Sequence, residues 1–242
     1  MGQGAEYYES AAARDEYMAF HYPECDAWAA LLGEGTPPPS ARYPFALRAM
    51  WEEGGGGRAL DIGCACGRIT FDLARHHEEA VGLDRSASLV AAAREVQASG
   101  RARYRLREEG ASFREVEVAV EAARNARFEV GDALALPFGD GAFRTVVACN
   151  LLDRVPDPAR ALAEAARVTA PRGVLLVGSP FTWLEEYTPR DRWLVPGAER
   201  VAALLGAAFR LEQATALPFF IRHHARSGQL AVSGIQRFRR NP

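Results

Sequence analysis

Lysine is absent from this 242-residue chain, and all 29 basic residues are arginine. Without a lysine amine, no side-chain Schiff base can form, which removes one large class of covalent chemistry. So many guanidinium groups can serve phosphate or carboxylate recognition. A GC-rich coding sequence accounts for them equally well, together with the abundant alanine and glycine. Acidic residues number 31, giving a formal net charge of -2. That balance lacks the basic footprint of a nucleic-acid binder. Only four cysteines occur, Cys25, Cys64, Cys66 and Cys149, too few for a disulfide scaffold of this length. No stretch approaches the ~18 continuous apolar residues of a membrane span. The first ten residues are acidic and aromatic rather than basic and then apolar, unlike an export signal. The expectation is a protein of the reducing cytoplasm with no membrane and no nucleic-acid partner.

Hydrophobic residues make up 48% and charged residues 25%, enough for an ordinary core. The length suits a single α/β domain over residues 1–242, with an N-terminal helical cover at 1–57 and a core at 58–242. Residues 8–21 have a helical pattern, 33–40 break it with Pro37, Pro38 and Pro39, and 43–53 resume it before a glycine run. Strand and helix then alternate. Strands are expected at 58–62, 80–84, 126–130, 143–149 and 173–179, and helices at 67–76, 86–99, 158–168 and 197–208. Such alternation argues for a doubly wound, mostly parallel sheet covered on both faces. Two final strands, 209–216 and 229–238, separated by 219–227, would close a seven-stranded sheet with an antiparallel pair. Residues 101–124 interrupt the pattern. Tyr104-Arg105-Leu106-Arg107 and Phe113-Arg114-Glu115-Val116-Glu117-Val118 alternate around Glu109-Gly110, predicting an inserted surface β-hairpin.

The strongest local signal is Leu60-Asp61-Ile62-Gly63-Cys64-Ala65-Cys66-Gly67-Arg68 between the first strand and its helix. Gly63 and Gly67 allow a sharp turn and close approach of the main chain to a ligand. The helix start offers free N–H groups, and Asp61 stands where a carboxylate can hold a ligand ammonium. This run resembles motif I of the S-adenosylmethionine (SAM) dependent methyltransferases, with Ala65 in place of the middle glycine. Asp84 ends the second strand seventeen residues after Gly67, followed by Arg85. A carboxylate there accepts from both ribose hydroxyls, a geometry that SAM folds share with NAD-binding folds. Gly131-Asp132-Ala133 follows the third strand, where SAM enzymes commonly place an acid near the adenine. Cys149-Asn150-Leu151-Leu152-Asp153 follows the fourth, where methyl donor and acceptor meet. Cys64 and Cys66 have no second pair or spaced histidine to complete a metal site. They are expected simply as small side chains lining the turn.

A narrower resemblance rests on five segments in order. They are Tyr7-Tyr8-Glu9-Ser10, Tyr17-x-x-Phe20-His21-Tyr22, Gly63 to Arg68, Asn150-Leu151-Leu152-Asp153-Arg154, and Ser179-Pro180-Phe181-Thr182-Trp183-Leu184-Glu185-Glu186-Tyr187-Thr188-Pro189. Together these are similar to the 4-mercaptohistidine N1-methyltransferases of ovothiol biosynthesis, in stand-alone form. The resemblance implies SAM as methyl donor, S-adenosylhomocysteine as product, no metal, and a small thiol-histidine substrate. A sulfoxide synthase and a lyase would be functional partners in the same pathway. It assigns the cofactor to Asp61, Gly63, Ala65, Gly67, Asp84, Arg85, Asp132, Ala133 and Asn150. Asn150, Asp153 and Glu186 become the catalytic candidates. Tyr8, Phe20, His21, Tyr22, Thr182, Trp183, Arg222 and His223 become the substrate contacts. The alternatives are a SAM methyltransferase for another small metabolite and a SAM-binding module without catalysis.

Overall fold

The computed structural model describes residues 4–23, Leu47, Met50, Trp51 and 55–242. Cys25, the proline-rich break at 33–40 and most of the expected helix at 43–53 lie outside the described residues; Leu47, Met50 and Trp51 are helical and buried. A 3-10 turn, Gly4–Glu9, leads into α1 (Ala11–His21). The Ser10 hydroxyl caps α1 by accepting from the Ala13 N–H. Tyr8 therefore precedes the α-helix instead of belonging to it.

Five parallel strands follow: β1 (Arg58–Ile62), β2 (Glu79–Asp84), β5 (Ala126–Val130), β6 (Phe143–Cys149) and β7 (Thr169–Ser179). Helices α2 (Arg68–Ala74), α3 (Ala87–Ser99), α4 (Pro158–Val168) and α5 (Gly197–Leu205) alternate with them. β8 (Phe209–His224) and β9 (Ser227–Arg240) complete a seven-stranded sheet in the order β5-β2-β1-β6-β7-β9-β8. Only β9 and β8 bring antiparallel pairings into this sheet. The doubly wound architecture expected from the sequence is present. β1 and β6 are neighbours although the chain leaves β1 in one direction and returns on the other side, so a crevice opens between their carboxyl ends.

Burial on both faces explains the continuous apolar runs at 146–149 in β6 and 174–177 in β7. On one face Phe71, Leu89, Val90, Val96 and Phe128 pack with Ala59 and Val147. On the other, Leu162, Val168, Val201 and Phe238 pack with Leu60, Ile62 and Val177. Ser86 caps α3 by accepting from the Leu89 N–H, and Asp157 caps α4 by accepting from the Arg160 N–H with Pro158 in the first turn.

Two departures from the expected elements have physical causes. The segment 219–227 is not a connection between short strands. Pairing of β8 with β9 continues through Phe219 to His224, because the ladder extends beyond the edge of the parallel strands. The inserted hairpin, β3 (Arg101–Glu109) and β4 (Ser112–Ala119), forms its own two-stranded sheet, but it is not merely superficial. Ala102, Tyr104, Leu106 and Val116 are buried on one face. The Tyr104 hydroxyl donates to the Tyr22 carbonyl at 3.0 Å, and Arg105 donates to Asp15 from its main-chain N–H and its Nε. The hairpin thus holds α1 from behind. Its outer face carries the ion pairs of Arg101 and Arg103 with Glu117.

Candidate active site

Three residues in the turn after β1 adopt left-handed backbone: Gly63 (φ 77°), Ala65 (φ 43°) and Gly67 (φ 85°). A Cβ on Gly67 would stand 2.6 Å from the Phe128 ring, so glycine is required there twice over. Ala65 adopts the same handedness with a side chain present, at a cost of roughly 1–2 kcal/mol. The Gly63 and Cys64 N–H groups donate to the Leu83 carbonyl at 2.8 and 3.1 Å, tying the turn to the end of β2.

That tie brings Asp84 against the turn. Its Oδ2 accepts from the Ala65 N–H and its Oδ1 from the Ser86 N–H, both at 2.9 Å. Each oxygen keeps a second lone pair. Burial raises the Asp84 carboxyl above the usual range, opposed by these N–H donors. Asp84 lines a cavity of about 350 Å³ together with Gly63, Ala65, Leu89, Ala133 and Asn150. Arg85 and Asp132 border it, and Asp132 Oδ1 accepts from the Leu134 N–H at 2.9 Å. The volume suits a cofactor-sized ligand. A carboxylate, an apolar wall of Leu89, Ala133 and Leu134, and a glycine turn are the surroundings an adenosyl group needs.

The N-terminal segment closes this cavity from above. The Ser86 hydroxyl donates to the Tyr8 carbonyl at 2.9 Å. Glu9 accepts from the Ala87 and Ser88 N–H groups at 3.0 and 3.1 Å, occupying free donors at the start of α3. The Tyr8 ring meets Tyr17 and Tyr187, with centroids 5.7 and 6.0 Å away. The Arg154 guanidinium lies 5.2 Å from the Tyr187 ring centroid. Burial pushes the Tyr8 and Tyr17 hydroxyls well above their ordinary pKa, so both are neutral hydrogen-bonding groups.

A smaller chamber of about 90 Å³ adjoins the first and shares Tyr17, Gly63, Ala65, Asn150 and Arg154 with it. Phe20 and His21 from α1, Arg68 and Ile69 from α2, Asp153 from the loop after β6, and Phe219 and Ile221 from β8 add to its walls. Asn150 sits at the junction with φ 54°, and its Oδ1 accepts from the Ser233 hydroxyl on β9. Asp153 is 1% exposed. Its carboxylate accepts from the Ser179 hydroxyl, the Thr182 N–H, the Thr182 hydroxyl and Arg154. This carboxylate fixes the loops after β6 and β7.

Several anticipated site residues stand elsewhere. Asp61 is 2% exposed and accepts from the Thr70 hydroxyl at 2.7 Å, and burial pushes its carboxyl up to about 7. Tyr22 is buried with its hydroxyl donating to the Cys66 carbonyl at 2.8 Å, pinning α1 to the glycine turn. Trp183 stacks on Trp193, centroids 6.4 Å apart, and Glu186 is exposed to solvent. Thr182 is held by Asp153 and Arg154. His223 pairs with Glu16 at 3.0 Å, and Arg222 donates to the His224 carbonyl. Gly67 supports the turn. Cys64 and Cys66 are buried thiols whose pKa is raised by burial. Among the described residues no group of three or more His, Cys, Asp or Glu could hold a metal. Nor is any helix among them long and apolar enough to cross a membrane.

Tyr17, Arg68, Arg154 and Tyr187 also line these cavities, and Glu9 and Ser233 support them, roles that residue type alone does not reveal. All of these except Ser233 lie inside the five segments on which the narrower resemblance rests. Ser233 carried no signal, since its partner Asn150 is 83 residues away.

The fold and the paired cavities define an α/β domain with a cofactor-sized crevice at the carboxyl ends of its parallel strands. The methyltransferase-domain family model matches residues 60–177. Phosphatidylethanolamine N-methyltransferase of Cereibacter sphaeroides is 30% identical over 169 residues, 67% of this chain and 70% of that protein. Ubiquinone biosynthesis O-methyltransferase of Methylococcus capsulatus is 25% identical over 187 residues, 77% of this chain and 68% of that protein. In fold, N-methyltransferase NodS of Bradyrhizobium japonicum, solved with S-adenosyl-L-homocysteine, aligns with TM-score 0.58 at 17% identity over 95% of this chain and 99% of its own. This chain belongs to the class I SAM-dependent methyltransferases.

Proposed function

We propose that this enzyme transfers the SAM methyl group to an imidazole ring nitrogen of 4-mercaptohistidine. The observation that carries the proposal is convergence. Tyr17, Phe20 and His21 from the N-terminal segment meet Asn150 and Arg154 around one chamber of about 90 Å³ beside the larger cavity. These residues belong to the segments on which the resemblance rests. The chamber is narrow and carries the rings of Tyr17, Phe20, His21 and Phe219 in its walls, which suits a single planar ring better than a lipid headgroup with its chains.

SAM supplies a methyl group on a positively charged sulfur that is already a good leaving group. The protein's task is then chiefly positioning. Asp84 would hold the ribose hydroxyls, and Leu89 and Ala133 would enclose the base. Asn150, fixed by Ser233, orients the acceptor at the junction of the two cavities. An imidazole with one N–H keeps a free lone pair on its other nitrogen, so no strong base is required. Asp153, with its oxygens taken up by four donors, acts as a positioning group that holds Arg154 and Thr182. The thiolate of the substrate is the better nucleophile. Selectivity for nitrogen therefore rests on Phe20, Phe219 and Ile221 turning the sulfur away from the methyl. A sulfoxide synthase and a lyase would supply the substrate.

Purified protein with SAM and 4-mercaptohistidine tests this directly, with the methyl located by NMR. Methyl on a ring nitrogen is expected. Methyl on sulfur would refute the proposal, as would no turnover alongside methylation of a phenol or an aminophospholipid.

A further inference from the structure

Where the small chamber meets a second cleft, Arg68 and His21 offer donors that have no acceptor among the described residues. Arg68 and His21 line both that chamber and a neighbouring cleft of about 320 Å³ between α1, α2 and β4. Arg68 donates from Nε to Asp72 Oδ2 at 3.1 Å. The other Asp72 oxygen accepts from Arg75 at 3.4 Å, so one buried carboxylate is shared between two guanidinium groups. Arg75 has a second partner in Glu121 at 3.2 Å. Arg68 uses only its Nε in this cluster, and its two terminal nitrogens have no hydrogen-bond partner among the described residues.

His21 adds a neutral donor. Its Nδ1 accepts from the Arg68 N–H at 3.3 Å, which places the ring proton on Nε2. Burial and then the charge of Arg68 push its pKa down to about 3, so the ring does not add a second positive charge. A planar guanidinium edge beside an N–H, with Asp72 already shared, matches a carboxylate approached by two parallel donors.

We propose that Arg68, with His21 beside it, receives an amino-acid carboxylate where the small chamber meets the neighbouring cleft. Two sources carry this chemistry: the methionyl end of the cofactor and the acceptor itself. The first stands independently of the proposed substrate, whereas the second rests on that reading.

Calorimetry and kinetics on Arg68→Met and Arg68→Lys distinguish them. S-adenosylhomocysteine is compared with 5′-methylthioadenosine, which keeps the adenosyl group and lacks the amino-acid end. 4-Mercaptohistidine is compared with its decarboxylated amine. If the carboxylate is the cofactor's, Arg68→Met weakens S-adenosylhomocysteine by roughly tenfold to a hundredfold and leaves methylthioadenosine unchanged. If it is the acceptor's, both adenosyl ligands bind as before, and KM rises by a similar factor for mercaptohistidine alone. Arg68→Lys retains part of the affinity in either case, and reports the same contrast should Arg68→Met fail to fold. Equal weakening of every ligand, or no change in any, overturns the proposal. If wild-type enzyme does not methylate mercaptohistidine, the substrate reading fails by itself. The adenosyl pair then decides, and an unchanged S-adenosylhomocysteine affinity would overturn the carboxylate site.

Discussion

The larger cavity takes most of its walls from loops that follow β1, β2, β5 and β6, each within a few residues of a strand end. The smaller chamber beside it is assembled from α1, the turn after β1, the loop after β6 and the middle of the β8–β9 hairpin. One is a product of the sheet, while the other depends on appended pieces reaching over its edge. A parallel sheet with a switch point supplies a cofactor crevice by topology alone. An acceptor site has to be added, and its residues are as far apart in sequence as Tyr17 and Ile221. Cofactor binding and acceptor choice should therefore separate under mutation.

The sharpest separation is expected from one substitution on each side. Asp84→Ala should weaken S-adenosylhomocysteine by about a hundredfold or more, since a charged acceptor of two hydroxyls is lost. Phe20→Ala should leave that affinity within about threefold while raising the acceptor KM by about tenfold. Isothermal titration and steady-state kinetics on both variants read the contrast, and matching losses would erase the distinction between the cavities.

Gly67→Val probes the turn on which both cavities depend. With the Phe128 ring 2.6 Å from the new Cβ and a left-handed backbone, destabilisation of about 3 kcal/mol or more is expected in urea unfolding. A variant as stable as wild type would mean that the turn can relax.

pH separates the appended cover from the sheet. His21 takes up a proton near pH 6.5 when unfolded but only near 3 when folded. The folded value is depressed, so the stability from neutral His21 is complete above pH 6.5 and drains away as pH falls towards 3. His21→Asn should flatten this part of the stability–pH curve, and an unchanged slope between pH 6.5 and 4 would contradict it.

Tyr22→Phe removes the hydrogen bond that pins α1 to the Cys66 carbonyl and should cost about 1–2 kcal/mol. Because Tyr22 is a fastening and not a wall of the chamber, acceptor KM should change less than stability. The smallest effect belongs to Ala65→Gly. Relief of the left-handed strain outweighs the extra freedom of the unfolded chain by a few tenths to about 1 kcal/mol. A fall in melting temperature would contradict the strain.

Much of the fold was legible because β6 and β7 carry apolar runs and α3 and α4 begin at the capping residues Ser86 and Asp157. The hairpin was legible as alternation. Its buried face was not, since Tyr104 meets Tyr22 from 82 residues away. On the cofactor side, Gly63, Asp84, Ala133 and Asn150 could be singled out because each lies at or just after the end of a strand. On the acceptor side, residue type alone could not tell which groups face the chamber. Tyr22 and Phe20 are both aromatic and two residues apart, yet only Phe20 lines it. Thr182, Trp183 and Glu186 made a distinctive string, but Thr182 and Trp183 serve loop packing and Glu186 meets solvent.

A crystal structure of the enzyme with S-adenosylhomocysteine bound would test the division most directly. The ribose hydroxyls should lie within hydrogen-bond distance of Asp84, the base between Leu89 and Ala133, and the sulfur at the junction marked by Gly63 and Asn150, facing the aromatic chamber. Density for the ligand on another face, or a sulfur turned away from Asn150, would contradict the account.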